Sequence, residues 1–275
     1  MPNTNPFKST LPSDSTMDLL LEKNHTGVWT LRLNLPSKLN ALNDAMVLDL
    51  HRLLAEIDGS ENCKVLILTG EGRGFCAGFD LTLADQAPGS EHGEAAAWTR
   101  RQENFAGLVT RLKSLHQPVI AAINGPANGA GFGLSLACDI RLASTLASFN
   151  AAFIKVGMSS CDIGVSYLLP RSVGTAQAFD IMLTGRMVDA QEALRIGLIS
   201  RVTAPDSLLE EAHALGTQIA ANDDFAVWMT KRGMWANLEA PSLHAALELE
   251  NRTQILTRTT GVLRAKAQSF KKRQA

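Results

Sequence analysis

An α/β fold with a largely parallel sheet is predicted by three observations. Short apolar runs alternate with amphipathic helical segments, the later two runs are apolar enough for buried strands, and glycine-rich turns follow the two most apolar runs. Residues 28–33 (VWTLRL) read as a strand, as do 64–69 (KVLILT) and 118–123 (PVIAAI). Asn43 is a suitable N-cap for a helix over 44–57, where Met46, Leu50, Leu53 and Leu54 recur at helical spacing. A second helix is expected over about 95–115, and an apolar one over 134–138. The segment 81–97, with Pro88, Gly89 and Gly93, has no periodicity and is expected to be a mobile loop. From 208 onward helix formers dominate, notably over 208–220 and 242–258, ending in a basic tail with Phe270, Lys271 and Lys272.

The 275 residues divide into a flexible N-terminus (1–16), a core (17–207) and a C-terminal helical region (208–275). With 45% hydrophobic and 19% charged residues the chain has enough apolar material for a large core. Twenty-six basic residues against twenty-seven acidic ones leave a formal charge of -1, so no global field draws it to nucleic acid or an anionic membrane. No stretch approaches the ~18 uninterrupted apolar residues of a membrane span, and residues 1–16 lack the apolar segment of an export signal. The four cysteines, Cys63, Cys76, Cys138 and Cys161, are scattered with no paired spacing. They suggest reduced thiols in a cytoplasm rather than a disulfide framework or a metal site.

The glycine clusters at 70–80 (GEGRGFCAGFD) and 124–133 (NGPANGAGFG) leave backbone N–H groups free for a phosphate or an oxyanion. Their spacing is not the dinucleotide fingerprint G-x-G-x-x-G, and no Gly-Lys-Ser/Thr of a P-loop follows. No G-x-S-x-G elbow or H-E-x-x-H pair is present.

The ordered set Leu33-Asn34-x-Pro36 with Asn40-Ala41-Leu42, Phe75-Cys76-Ala77-Gly78-x-Asp80-Leu81, Asn124-Gly125-Pro126-Ala127-x-Gly129-x-Gly131 and Leu183-Thr184-Gly185-Arg186 resembles the crotonase (enoyl-CoA hydratase/isomerase) superfamily. The resemblance spans about residues 17–205. It implies a crotonase-like spiral of ββα units, a C-terminal helical trimerisation region, and assembly as a trimer or dimer of trimers. It implies an acyl-CoA thioester substrate, coenzyme A entering as part of that substrate with no separate cofactor and no metal. Carried over residue by residue, the oxyanion-hole donors are the N–H groups of Phe79 and Ala130, the latter at a place that is commonly glycine. Lys38, Leu39 and the Ala77 carbonyl would face the nucleotide, and Phe132 and Phe153, with Trp98, would line an acyl pocket. Phe270-Lys271-Lys272 resembles a terminal segment that reaches CoA phosphates.

Hydratases of this superfamily use two glutamates, and this chain has neither: Gly133 and Phe153 stand at those positions. One acid remains nearby, Asp162, at a position resembling the proton-transfer aspartate of dienoyl-CoA isomerases and the nucleophilic aspartate of 4-chlorobenzoyl-CoA dehalogenases. Asp162 also precedes an expected helix near Gly164, where aspartate is a favoured N-cap, so the sequence leaves both roles open. Asp80 is expected to cap a turn and Asp139 to be structural. His92 and His116 read as surface or packing residues, and no histidine lies at 104–106, where a dehalogenase base would sit. The expectation is an enoyl-CoA hydratase/isomerase-type enzyme with Asp162 as acid/base and isomerisation favoured over hydration. The alternatives are a non-catalytic acyl-CoA binder, or a hydrolase or dehalogenase with Asp162 as nucleophile.

Overall fold

The computed structural model describes residues 15–16, 18–86, 89 and 91–274. Among the described residues, ten strands are β1 (Ser15–Thr16), β2 (Leu19–Glu22), β3 (Val28–Leu33), β4 (Val65–Gly70), β5 (Val119–Ile123), β6 (Pro126–Asn128), β7 (Ile140–Ser144), β8 (Ser148–Asn150), β9 (Val188–Asp189) and β10 (Arg201–Thr203). They form a seven-stranded sheet in the order β1-β2-β3-β4-β5-β7-β10 and a three-stranded sheet in the order β6-β8-β9. From β3 to β10 the large sheet is parallel, and β1 and β2 add an antiparallel edge. Ser15 and Thr16, placed by sequence in the flexible N-terminus, belong instead to this edge: they pair with Leu20 and Leu19.

Both faces of the large sheet are covered, which is why β4 and β5 are buried at every position and largely apolar. On one face Val28, Val65, Ile67, Ile120, Ala122 and Leu142 meet Leu208 and Ala212 of helix α7 (Leu208–Ala220). On the other face Leu31, Leu66, Leu68 and Ala121 join the main core with the buried side of α1 (Asp44–Asp58) and α2 (Glu94–Ser114). The remaining helices are α3 (Ala130–Ala137), α4 (Val165–Val173), α5 (Thr175–Thr184), α6 (Ala190–Arg195), α8 (Asp224–Asn237), α9 (Leu243–Arg258) and α10 (Val262–Gln274).

Local chemistry sets the boundaries. Asn43 accepts from the Met46 N–H at 2.8 Å and starts α1 as expected. Helix α3 begins at Ala130, one turn before the expected 134, because its two glycines are required for packing and do not break it. A Cβ on Gly133 would lie 2.5 Å from Ile163 Cγ2 and 2.8 Å from the Ile163 carbonyl oxygen. The expected mobile loop at 81–97 is partly ordered, with a 3₁₀ turn at Leu81–Leu83 and the first residues of α2; Pro88 lies outside the described residues. No helix among the described residues is long and apolar enough to cross a membrane.

Candidate active site

The two glycine-rich loops lie against each other. Cys76 pairs with Ala127, Asn128 N donates to Cys76 O at 2.9 Å, and a Cβ on Gly78 would meet Asn128 O at 2.8 Å and Ala130 N at 3.3 Å. Gly78 has φ +97°, so a side chain there would add backbone strain to the collision. This close approach sets Phe79 beside the N-terminus of α3. The bonds from Leu42 N to Gly78 O and from Asp80 N to Leu42 O bracket Phe79 without using its N–H. Ala130, first residue of α3, has a φ outside the positive region, and among the described residues no acceptor is paired with its N–H or that of Phe79. Two backbone donors are thus left for an external oxygen.

A cavity of about 170 Å³ opens at these groups. Phe79, Phe105, Trp98 and Phe153 supply aromatic walls, Ala130 the α3 end, and Asp162 a carboxylate. Phe153 sits with its ring 3.6 Å from where a Cβ on Gly129 would be, and Phe79 packs edge-on to Phe105 at 5.5 Å. Phe132 is elsewhere: its side chain is fully buried against Phe149, 6.0 Å between ring centres, and it is not among the lining residues. Phe132, expected in the acyl pocket, belongs instead to a helix that is buried on all sides.

Asp162 is half-buried at this cavity, and its side chain does not cap α4. That helix starts at Val165 behind Gly164, with no side-chain cap; the backbone N–H that Asp162 takes is that of its neighbour Ile163, which donates to its Oδ1 at 2.7 Å. Gln102 Nε2 from α2 donates to the same oxygen, and Oδ2 has no partner among the described residues. Ile163 carries φ +41°, an uncommon value for a β-branched residue, and its side chain occupies the space that a side chain at Gly133 would need. At the positions where the resemblance places the two hydratase glutamates, Gly133 cannot gain a side chain without a collision and Phe153 is an apolar ring at the cavity.

Arg101, not singled out by the sequence, is buried at the cavity wall. It forms a two-pronged pair with Asp44 (Nε to Oδ1 2.7 Å, Nη2 to Oδ2 2.5 Å) and donates to Gln86 O at 2.9 Å. Its guanidinium lies 5.0 Å from the Phe79 ring centre and 5.4 Å from that of Trp98. It pins the 81–86 turn, Phe79 and α2 to one another.

The expected nucleotide-side residues adjoin one another. Ala77 N donates to Leu39 O at 2.9 Å, and exposed Lys38 pairs with Asp80 Oδ2 at 2.6 Å. Asp80 caps its turn through Thr82 N (3.0 Å) and Thr82 Oγ1 (2.7 Å), and the Lys38 ammonium, followed by these bonds, holds its carboxyl below the usual carboxylate range. His116 lies away from the cavity, 4.1 Å from the Trp228 ring and beside Asp58, and His92 does not line the cavity. A larger cleft of about 820 Å³ runs along α8 around Asp139 and Lys231, whose polar groups are already paired with protein. Open donors and an open acceptor meet at the smaller cavity, and size does not outweigh that. Among the described residues no His/Cys/Asp/Glu cluster suited to a metal ion occurs.

The chain is similar to known proteins over most of its length. Residues 23–274 match the Enoyl-CoA hydratase/isomerase family. The chain is 40% identical over 246 residues (89% of this chain, 86% of the relative) to the probable enoyl-CoA hydratase EchA12 of Mycobacterium tuberculosis. It is 37% identical over 241 residues (87% and 90%) to the 1,2-epoxyphenylacetyl-CoA isomerase of Escherichia coli. The crystal structure of a putative enoyl-CoA hydratase from Streptomyces coelicolor superposes with a TM-score of 0.88 at 36% identity, covering 98% of this chain and 97% of that one. With the family matched over nearly the whole chain and the crotonase fold present, the protein belongs to the enoyl-CoA hydratase/isomerase family.

Proposed function

We propose that this family member is an acyl-CoA isomerase in which Asp162 moves the proton and the Phe79 and Ala130 N–H groups hold the thioester oxygen. One observation carries the reading: among the described residues, a carboxylate with an unoccupied oxygen shares a cavity with two unpaired backbone donors, and no second acid lines it. Hydration needs one group to activate water and another to deliver the proton, whereas shifting a double bond needs a single carrier. For a β,γ-unsaturated thioester, Asp162 takes a proton from the α carbon. The C–H electron pair moves into the enolate, whose oxygen receives the two N–H bonds, and the protonated Asp162 returns the proton at the γ carbon. The double bond ends between α and β. Each oxyanion donor is worth about 3 kcal/mol of barrier by analogy with measured deletions.

Lys38, Leu39 and Ala77 are the residues we assign to the nucleotide of coenzyme A, since they adjoin one another next to the Phe79 loop. No further cofactor enters this chemistry. We also infer a homo-oligomer built through the C-terminal helices, a trimer or a dimer of trimers. Helix α9 buries no residue in the single chain, while Leu243, Ile255, Leu256, Leu263 and Phe270 are exposed along α9 and α10. A cytoplasmic setting fits three buried free thiols, Cys63, Cys76 and Cys138, each pushed up to about 12 by burial and so poorly reactive.

The test is incubation of purified protein and of Asp162→Asn with β,γ-enoyl, α,β-enoyl and saturated acyl-CoA thioesters in D₂O, read by mass spectrometry. Double-bond migration with deuterium uptake, reduced about 10²- to 10⁴-fold in Asp162→Asn, supports the proposal. Full turnover in Asp162→Asn, or binding with neither exchange nor migration in the native protein, overturns it. A covalent ester on Asp162 would identify the carboxylate as a nucleophile instead.

A further inference from the structure

Asp162 is held in an asymmetric way that the proposed proton transfer does not by itself explain. Both of its hydrogen bonds, from Gln102 Nε2 and from the Ile163 N–H, end on Oδ1, and Oδ2 is left without a partner among the described residues. The two donors come from different parts of the chain, Gln102 from α2 and the Ile163 amide from the turn before α4. The Ile163 N–H is fixed by a strained backbone, φ +41° followed by Gly164 at +78°, and by the Ile163 side chain packed against Gly133. Gln102 stands on α2 next to Arg101, whose pairing with Asp44 and Gln86 fixes that turn of the helix. Both Gln102 and Asp162 line the cavity.

We propose that Gln102 is a positioning residue for proton transfer: with the Ile163 amide it clamps Asp162 Oδ1, so that Oδ2 alone is presented to the α and γ carbons of the bound acyl chain. This rests on the reading of Asp162 as the proton carrier. A half-buried aspartate bonded only to its neighbouring amide keeps freedom of rotation about its side chain, and a base that must reach two carbons of one substrate in turn loses rate with small misplacement. A second donor, 60 residues away in sequence and on a different element, removes that freedom. Its amide has no ionisable proton, so it orients the carboxylate without competing for the proton being moved. Gln102 is itself exposed, which separates its contribution from the packing of the core.

Steady-state kinetics on the β,γ-enoyl thioester tests this with Gln102→Met, Gln102→Glu and Asp162→Asn measured together. Gln102→Met, similar in length but without the donor, lowers kcat about ten- to a hundredfold with KM within about threefold, the range for a hydrogen bond to a charged group. Gln102→Glu is impaired at neutral pH, and its kcat relative to the native protein recovers as the pH falls, because two adjoining carboxyls share a proton and the introduced group donates again. A merely structural role for Gln102 would not produce that recovery. Gln102→Met with kcat within about twofold of native, alongside an inactive Asp162→Asn, overturns the clamp and leaves the reading of Asp162 standing. Loss in Gln102→Met with no recovery of Gln102→Glu at low pH also overturns it. Native turnover in Asp162→Asn overturns the underlying reading.

Discussion

Two aspartates of this chain show how the same side chain is committed to structure in one place and left open in another. Asp139, between α3 and β7, has every oxygen occupied: Oδ2 takes the Val119 N–H at 2.7 Å and the Lys231 ammonium at 2.9 Å, and Oδ1 takes Trp235 Nε1 at 2.7 Å. Lys231 in turn spends its other protons on Leu112 O and Gln117 O, at 3.1 and 2.9 Å. Asp162 has both bonds on one oxygen, no partner among the described residues on the other, and lines a cavity. A carboxylate with both oxygens taken by fixed donors fastens α8 to the sheet and has little left to offer a ligand. A carboxylate with one oxygen unfilled is available for chemistry.

Breaking the Asp139 cluster has the largest expected effect on stability. Asp139→Ala leaves the Lys231 ammonium buried without its counter-charge, and burial already pushes that ammonium below its ordinary range with Asp139 opposing the shift. The expected loss is about 3–5 kcal/mol in chemical denaturation. Adding Lys231→Met should recover much of it, since the stranded charge is removed with its partner. A loss below about 1 kcal/mol in the single variant would mean that the cluster is solvated and that filled acceptor sites do not mark a structural role.

Much of this contrast was written in the sequence, though unevenly. Periodicity placed α1, with Asn43 as its cap, and the strands β3, β4 and β5, because one face or both faces of each are buried along their whole length. The paired glycine loops were legible because close backbone approach demands residues without side chains. Whether Asp162 caps a helix or faces a cavity was not legible, since that depends on the left-handed turn at Ile163 and Gly164 and on a helix 60 residues earlier. Phe132 could not be told from a pocket residue, since an aromatic on a helix buried all round has no polar face to orient it. Arg101 left a signal that was overlooked. It falls on the Ala97, Phe105, Leu108 stripe of α2, and a charge at a core position of an amphipathic helix implies a dedicated partner.

The second way to sharpen the contrast is to fill the space beside Asp162. Gly133→Glu, which restores an acid at one hydratase position, puts a Cβ 2.5 Å from Ile163 Cγ2 and 2.8 Å from its carbonyl oxygen. Backbone cannot retreat as a side-chain tip can, so the expected cost is about 1–3 kcal/mol of stability. Because the displaced residue carries the amide bound to Asp162 Oδ1, isomerisation falls as well, and hydration does not appear even with Phe153→Glu added. Denaturation midpoints and the D₂O assay read both parts. Native stability with new hydratase activity would show that Gly133 and Ile163 adapt freely and do not fix the carboxylate.

The smallest effect belongs to Asp80, which lies between the two extremes. Its Oδ1 is closed by Thr82 while its Oδ2 depends on Lys38, half of whose side chain is in solvent. Replacing that lysine by alanine should cost about 0.5–1 kcal/mol at neutral pH, an ion pair discounted for screening. The carboxyl of Asp80 is lowered in the folded chain by Lys38 first and Thr82 next, so this stabilisation is present above the unfolded-state value near 3.8 and is lost as pH falls through the lower folded one. Urea denaturation of the native protein and Lys38→Ala should therefore differ at pH 7 and converge as the medium is acidified below that range. A gap that persists in acid would assign the effect to packing of the lysine stem against the Phe79 loop, and Asp80 would then be as firmly closed by its own turn as Asp139 is by the core.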